Sequence, residues 1–550
     1  MNHGGEFLSR RPERISTPET FTDEHRALAA TALRFSKEVV LPNAARIEAK
    51  DFGLLRQLIR QASELGLVGV DLEQQYGGLE LDVTSTLLVA ESKSLLGSWS
   101  VTFGAQTCIG TLPIAFFGTP AQKQQYLPKL CSGEWVSAYA LTEAGSGSDA
   151  LGAKTRAVKS ADGTHWVLNG SKQYITNAGF ADVFIVFAKV DGERFSAFIV
   201  DRDTPGLVVG AEEHKMGIRG SSTCPLTFED ARVPVENLLG VEGRGHAIAF
   251  NILNLGRLKL GAGVLGSMKH HLEGALRYVS GRTQFGTPLV RFGLSREKLA
   301  RMTASIYAVE SMAYRTGGLI DAQLANGVSK LAAVEQFVVE SSILKVLGSE
   351  ALGTVLDDAV QLHGGAGYIE DYPIERAYRD ARINRIFEGT NEINRLLVTG
   401  SLLKRASRGQ LSLDAPVDDG TIASRLKQLA FEALTKSVEA LGVGLEQHQL
   451  VLAAVSDLIM EAFAVESVAL RNAQTDSTPW RVAVERLVVE VAVSRAWQSA
   501  RRVFGVVLQG AERAAALERA RVLLELEPTD LEATHETIAA AVEAAGGYPR

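Results

Sequence analysis

The sequence predicts an α+β protein in which one antiparallel β domain, a barrel or sandwich, stands between helical domains. Three observations predict it. Apolar residues recur at helical spacing from about Thr22 to Leu130, as in Leu28, Ala32, Phe35 and Val39, with Pro42 and the Gly77-Gly78 pair as breaks. Between roughly Tyr139 and Phe228 the pattern changes to short β-branched and aromatic runs, such as Val183 to Phe187 and Phe195 to Val200, separated by Asp-Gly and Asn-Gly turns. From about Gly245 helical periodicity returns and runs to Arg405, predicting long helices in a bundle.

The remaining elements follow in order. Residues 1–138 form the N-terminal helical domain with an extended arm, 139–244 the β domain and 245–405 a four-helix bundle. Ala406 to Asp419, with Ser, Gly, Asp and Pro and little apolar patterning, reads as part of a linker over 406–420. Residues 421–550 are rich in Ala, Val, Leu, Glu and Arg and predict an appended helical domain. No internal repeat at a fixed period is visible.

Composition narrows the function classes. A chain of 550 residues, 46% of them hydrophobic, has material for two to four domains. Its net charge of −7 gives no broad basic field for nucleic acid or anionic lipid. Residues 406–550 carry 14 basic and 20 acidic residues, a net of −6. Arg481, Arg486, Arg495, Arg501 and Arg502 cluster there, but Glu485 and Glu490 interleave, which describes a solvated helix face better than a phosphate-binding stripe. Nucleic acid is therefore not an expected partner. The three cysteines, Cys108, Cys131 and Cys224, lie at no metal-ligand or redox-pair spacing, so a reducing cytoplasm is expected. Met1 to Arg14 hold no apolar run of signal-peptide length, and no window of about 18 uncharged apolar residues is seen elsewhere.

Four stretches carry possible chemistry. Tyr139 to Asp149 (YALTEAGSGSD) places small residues after a β-prone start, leaving backbone amides able to approach a flat or anionic ligand; alone it also reads as an ordinary Gly/Ser turn. Lys172 to Gly179 (KQYITNAG) puts Tyr174 at the end of a strand, where it either covers a planar ring or sits half-buried. Gln361 to Tyr368 (QLHGGAGY) has glycines that let backbone approach a pyrophosphate; His363, with no partner at metal spacing, reads as a packing or hydrogen-bonding residue, and no metal is expected. In Arg385 to Glu392 (RIFEGTNE), Glu388 stands between an aromatic residue and a glycine. In an apolar pocket that carboxylate would lose hydration and become a better base; before a turn it would be merely solvated.

In this order and at these separations, the four stretches resemble the acyl-CoA dehydrogenase family. The similarity runs from about Phe21 to Arg405 and includes Glu64 to Leu67, Gln75 to Gly78, Lys215 to Arg219 and Val233 to Asn237. The Gly-Gly-Glu-Phe-Leu start, Asn254 to Arg257, Arg282 to Gly286 and the C-terminal extension resemble the very-long-chain branch. The resemblance implies FAD as cofactor and the removal of hydrogen from an acyl-CoA thioester to give the trans-2-enoyl-CoA, as in fatty acid β-oxidation. Electrons would pass to an electron-transfer flavoprotein. Matching positions for the flavin are Tyr139, Leu141, Thr142, Ser148, Tyr174, Ile175 and Thr176, with Arg282, Phe285, Gln361, Gly364 and Gly365 contributed from a neighbouring subunit, and Thr390 and Glu392 from the first. For the substrate they are Ser148, Asn254, Arg257, Phe387 and Gly389. Glu388 would take the pro-R α-proton while a hydride leaves the β-carbon for the flavin. Relatives that draw their base from the earlier helix have no counterpart here, since Leu253, Leu255 and Gly256 are not acidic.

Three positions depart from the family pattern: Ala144 replaces its usual Pro, Gly293 stands where many members have Gln, and Pro113 replaces the second of two glycines that deepen the acyl pocket of long-chain members, Gly110 being the first. Two other functions fit the same sequence. An acyl-CoA oxidase would use the same base and flavin with oxygen as acceptor. A non-catalytic binding or assembly protein would keep only the fold, as in the DNA-binding flavoprotein of the alkylation response. The apolar faces of the last helices are expected to make a bundle core or a homodimer contact, with peripheral membrane contact the alternative.

Overall fold

The computed structural model describes residues 3–549, so Met1, Asn2 and Arg550, the ends of the first and last expected domains, lie outside the described residues. The chain divides into two compact units, one of Asp23–Lys259 and one of Met1–Thr22 with Leu260–Arg550.

In the unit Asp23–Lys259, helices precede and follow a sheet. Phe52–Glu64 is capped by Asp51, whose carboxylate accepts from Leu54 N, and buries Leu54, Leu55, Leu58, Ile59 and Ala62 at helical spacing. The eight-stranded sheet is mainly antiparallel, as the alternating runs predict, with two short parallel pairings: Ser137–Ala140 and Arg156–Lys159 each lie parallel to Val183–Val190. Val183–Val190 is buried on both faces except at Lys189, which explains its unbroken apolar run. Asp191 and Gly192 both have positive φ and turn the chain into Arg194–Asp201. The Asn169-Gly170 pair, expected as a turn, lies inside the strand His165–Thr176 at a register shift. Gly170 has φ 142°, and a Cβ there would fall 2.8 Å from Thr155 Cα, so a bulge against close backbone, not a reversal, requires the glycine.

The second unit is mainly helical. Its first residues are a short arm whose Phe7 and Leu8 are fully buried, with the Phe7 ring 4.7 Å from that of Phe463. Gly5 N donates to Glu340 Oε1 at 2.7 Å and Arg405 Nη1 to Gly4 O at 2.8 Å; a Cβ on Gly4 would meet Glu340 Oε2 at 2.6 Å. The helices Gly293–Ala325, Val338–His363 and Asn391–Ser407 are followed, after the irregular stretch to Thr421, by five more, Ile422–Leu441, Gln449–Ala473, Pro479–Val507, Gly510–Leu523 and Leu531–Ala545. Gln449–Ala473 is buried along most of its length. Inside it Glu466 accepts from Arg315 Nη2 at 2.7 Å and pairs with Lys427, and Arg315 lies 4.4 Å from the Phe463 ring centre.

All three cysteines are buried free thiols. Two segments, Gly97–Phe117 and Gly245–Gly281, are long and apolar enough to cross a membrane by length and composition, contrary to the expectation that none would be. The most apolar windows of both are largely buried inside the protein, 61% and 72%. Among the described residues no group of three or more His, Cys, Asp or Glu could hold a metal ion.

Candidate active site

Within Asp23–Lys259, the first two stretches meet. Tyr139 is the third of the four residues of the buried strand Ser137–Ala140, and Thr142 O accepts from Gln173 N at 2.9 Å. Glu143 ties the stretches together: its carboxylate accepts from Lys172 Nζ at 2.7 Å, from Thr155 Oγ1 at 2.6 Å and from Lys154 N at 2.6 Å, while Lys172 Nζ also donates to Leu141 O at 3.1 Å. Burial works against ionised Glu143, but these donors hold its pKa below the ordinary range. Burial pushes Lys172, which is enclosed completely, down to about 8 in spite of that partner. Glu143 and Ser146 exchange backbone hydrogen bonds, so the Gly/Ser segment is a tight turn with open space beside Gly145 and Gly147. Ser148 is exposed, Ile175 buried and Thr176 half-buried. Tyr174 is not half-buried but exposed: it has φ 60° at a register shift of the strand and is 59% exposed. In the same unit Asn254 and Arg257 are buried on one helix face, with Arg257 Nη1 donating to Asn254 Oδ1 at 2.7 Å.

The second unit holds the rest. Phe285 and Gly286, both at positive φ, turn the hairpin between Thr283–Gln284 and Thr287–Pro288, leaving Phe285 almost fully exposed and Arg282 exposed. Gln361 lies in the last turn of Val338–His363 on its exposed side, and Gly364 and Gly365 follow with open space where side chains would stand. His363 packs: its ring stacks on Tyr278 at 4.4 Å and Nδ1 bonds Ala359 O at 2.7 Å, while burial pulls its pKa below the ordinary value.

Glu388 is half-buried with φ 58°, followed by Gly389 at φ 77°. Two buried side chains hold this left-handed pair. Asn394 Nδ2 donates to Gly389 O at 2.8 Å and to Thr390 O at 3.0 Å, and reaches Glu388 O at 3.4 Å. Lys345 Nζ donates to Gly389 O and to Asn391 Oδ1, each at 2.7 Å. Thr390 Oγ1 caps the helix Asn391–Ser407 by accepting from Ile393 N at 3.3 Å. Glu392, exposed in its first turn, has a lowered pKa through hydrogen bonds from its own backbone amide and Thr390. Phe387 is half-buried on the other side of Glu388.

The domains described as acyl-CoA dehydrogenase N-terminal, middle and C-terminal match residues 22–134, 138–231 and 243–403, and a further one, also described as an acyl-CoA dehydrogenase C-terminal domain, matches 425–521. A Bacillus subtilis (strain 168) protein described as "Probable acyl-CoA dehydrogenase" is 46% identical over 503 residues, 86% of this chain and 85% of that one. The chain belongs to the acyl-CoA dehydrogenase family. The crystal structure of an acyl-CoA dehydrogenase complexed with FAD from Bacillus anthracis superposes over 100% of both chains with a TM-score of 0.96 and 41% identity. The mitochondrial very long-chain specific acyl-CoA dehydrogenase of Homo sapiens is 43% identical, over 61% of this chain and 51% of its own.

Two features of this acyl-CoA dehydrogenase were not singled out from sequence. Lys345 and Asn394 hold the Glu388 loop; Lys345 sits in an apolar helical run, where a lysine between Leu344 and Val346 was the available signal, and Asn394 in the polar first turn of the helix Asn391–Ser407. Gly110 reads as a pocket-deepening glycine, yet its missing side chain leaves room for Ser137, whose Cβ lies 2.8 Å from where a Cβ on Gly110 would be. Ser137 Oγ accepts or donates at 3.2 Å to Thr111 and bonds Gln106 Oε1 at 3.0 Å, and Pro113 is buried.

Proposed function

We propose that this protein is a cytoplasmic, FAD-dependent enzyme of fatty acid β-oxidation that converts an acyl-CoA to the trans-2-enoyl-CoA with Glu388 as base. The observation that carries the reading is the strained, half-buried Glu388–Gly389 pair, held from three hydrogen-bond directions by Lys345 and Asn394. Strain of this kind persists where surrounding structure over-determines it, and it belongs with groups that must be aimed.

The residues present fit a planar cofactor with an anionic tail. Tyr174 offers an exposed ring, Gly145 and Gly147 offer open backbone, and Gly364 and Gly365, which the family resemblance assigns to a neighbouring subunit, offer open backbone as well. FAD, when bound, supplies the acceptor for the hydride that leaves the β-carbon. Thr142, whose backbone carbonyl accepts from Gln173 N next to the Glu143–Lys172 pair, would hydrogen-bond the flavin ring. Glu388 removes the α-proton. Phe387 and Gly389 stand on either side of Glu388 in the chain and are the proposed substrate contacts. A backbone N–H at this turn stabilises the enolate-like charge as it forms.

An electron-transfer flavoprotein is the proposed electron acceptor, and a homodimer the proposed assembly. With the space at Gly110 taken by Ser137, and Pro113 in place of a second glycine, the chain-length preference falls below that of the very long-chain enzymes. The test is anaerobic bleaching of the bound flavin by saturated acyl-CoAs from short to very long. Glu388→Gln is expected to keep FAD and acyl-CoA affinity and to reduce flavin at least about a hundredfold more slowly, the scale of a missing general base. Bleaching by none of the series, or an unimpaired Glu388→Gln protein, overturns the reading.

A further inference from the structure

The appended helices reach the Glu388 loop through an unbroken chain of polar contacts inside the second unit. Asp457, on the appended helix Gln449–Ala473, accepts from Arg395 Nε at 2.7 Å. The other two guanidinium nitrogens of Arg395 grip Glu350, Nη1 to Oε1 at 2.7 Å and Nη2 to Oε2 at 3.0 Å. Glu350 Oε1 also accepts from Asn391 Nδ2 at 3.0 Å, and Asn391 Oδ1 accepts from Lys345 Nζ, the ammonium that holds Gly389 O. With all three nitrogens engaged, the plane and position of the guanidinium are fixed in a way a lysine would not reproduce. A second pin lies beside the first: Ser456 Oγ donates to Arg395 O at 2.5 Å and shares a 2.6 Å hydrogen bond with Thr399 Oγ1.

We propose that Asp457 is a positioning residue for the reaction, and that the appended domain sets the placement of the Glu388 carboxylate through Arg395, Glu350, Asn391 and Lys345. The proposal rests on the reading of Glu388 as base. Arg395 lies in the second turn of the helix that begins directly after the loop, so a shift of that helix is a shift of the base. Each intermediate side chain serves two neighbours, so releasing Arg395 from one side frees Glu350 to follow it. The adjacent turn of the same appended helix supplies an internal control. Glu461 is buried and faces Arg495 at 3.3 Å; it feels the charges of Asp457 and Glu350, but among the described residues it makes no hydrogen bond to Arg395, Glu350, Asn391 or Lys345.

The experiment uses full-length holoenzyme carrying Asp457→Asn, Asp457→Glu or Glu461→Gln. It reads two quantities: the dependence of single-turnover flavin reduction on acyl-CoA concentration, and hydrogen–deuterium exchange across residues 386–392. Asp457→Asn is expected to lower the maximal reduction rate about tenfold, within the range that small misplacements of a reacting group produce. Half-saturating acyl-CoA stays unchanged, and exchange in the loop becomes faster. Asp457→Glu restores most of the rate, and Glu461→Gln changes neither quantity. A wild-type rate with wild-type loop exchange in Asp457→Asn, or an equal loss in Glu461→Gln, overturns the proposal. Should Asp457→Asn fail to accumulate, Ser456→Ala carries the same two readouts and the same expected directions. Failure of the underlying reading looks different: wild-type protein is then not bleached, while the exchange comparison still reports whether the appended helix holds the loop.

Discussion

Replacing Lys345 by Met should slow catalysis while leaving the protein folded. The side chain is completely buried, and its ammonium makes two 2.7 Å hydrogen bonds, to Gly389 O and Asn391 Oδ1. Hydrogen bonds involving a charged group contribute roughly 1.5–3 kcal/mol each, so their loss is of order 3–6 kcal/mol before compensation. Against this, Met no longer has to bury a charge, and that desolvation costs several kcal/mol. Gly389 O keeps its 2.8 Å bond from Asn394, so no carbonyl is left unsatisfied. The two large terms nearly cancel, leaving a net change of about 1–2 kcal/mol of either sign. The loop fares worse. A non-glycine residue in the left-handed region costs about 1–2 kcal/mol, and Glu388 now has one fewer side chain opposing its relaxation. A displacement near 1 Å at a reacting group can slow chemistry about a hundredfold. Anaerobic stopped-flow reduction of the flavin by acyl-CoA should therefore be about ten to a hundred times slower in Lys345→Met, with FAD content kept and the thermal midpoint little changed. A reduction rate within about twofold of wild type, less than 0.5 kcal/mol of barrier, would show that Lys345 serves packing only and would refute the argument.

Two further outcomes follow from buried groups. Gly110→Ala forces a Cβ against Ser137 and should destabilise the unit Asp23–Lys259 by about 1–3 kcal/mol; Ser137→Gly in the same chain should recover part of this, a non-additivity that denaturant titration measures. Burial holds the Glu461 carboxyl up at about 7 from an ordinary 4.5, with Arg495 opposing. The folded protein thus keeps that proton to higher pH than the unfolded chain does, so the group's contribution is fully present below pH 4.5 and is lost as pH rises through about 7. Glu461→Gln should flatten that fall and be the more stable protein at about pH 8, as melting curves at about pH 5 and 8 would show. A variant that melts in parallel with wild type at both pH values contradicts the assignment.

The order of elements was legible because each is written in local periodicity: helical spacing before Leu130, alternation and β-branched runs to Phe228, helical spacing again. What local patterning does not carry is which distant segments share a core. The Gly-Gly-Glu-Phe-Leu start precedes the first helical region in sequence, yet Phe7 packs on Phe463 and Gly5 on Glu340. Asn169-Gly170 has the composition of a hairpin turn, but a strand that must pass close to Thr155 needs the same glycine for a different reason. Arg395 and Asp457 are 62 residues apart, and each alone is an unremarked charge on a helix.

Backbone strain supplies what the motifs alone lack. As an octapeptide, Arg385 to Glu392 is compatible with a solvated glutamate before a turn, and Lys172 to Gly179 with a half-buried tyrosine. The structure gives both residues positive φ, 58° for Glu388 and 60° for Tyr174, and does the same to Phe285 at 54°. They are three of nine described non-glycine residues at positive φ, the others being Lys50, Glu80, Asn177, Asp191, Ile218 and Asp230. Tight turning explains Phe285 and a bulged strand Tyr174, but neither explanation requires an aromatic residue at the strained position; asparagine or glycine would suit the backbone better. For Glu388, Lys345 and Asn394 are committed to holding the strain in place, and a solvated glutamate would need neither.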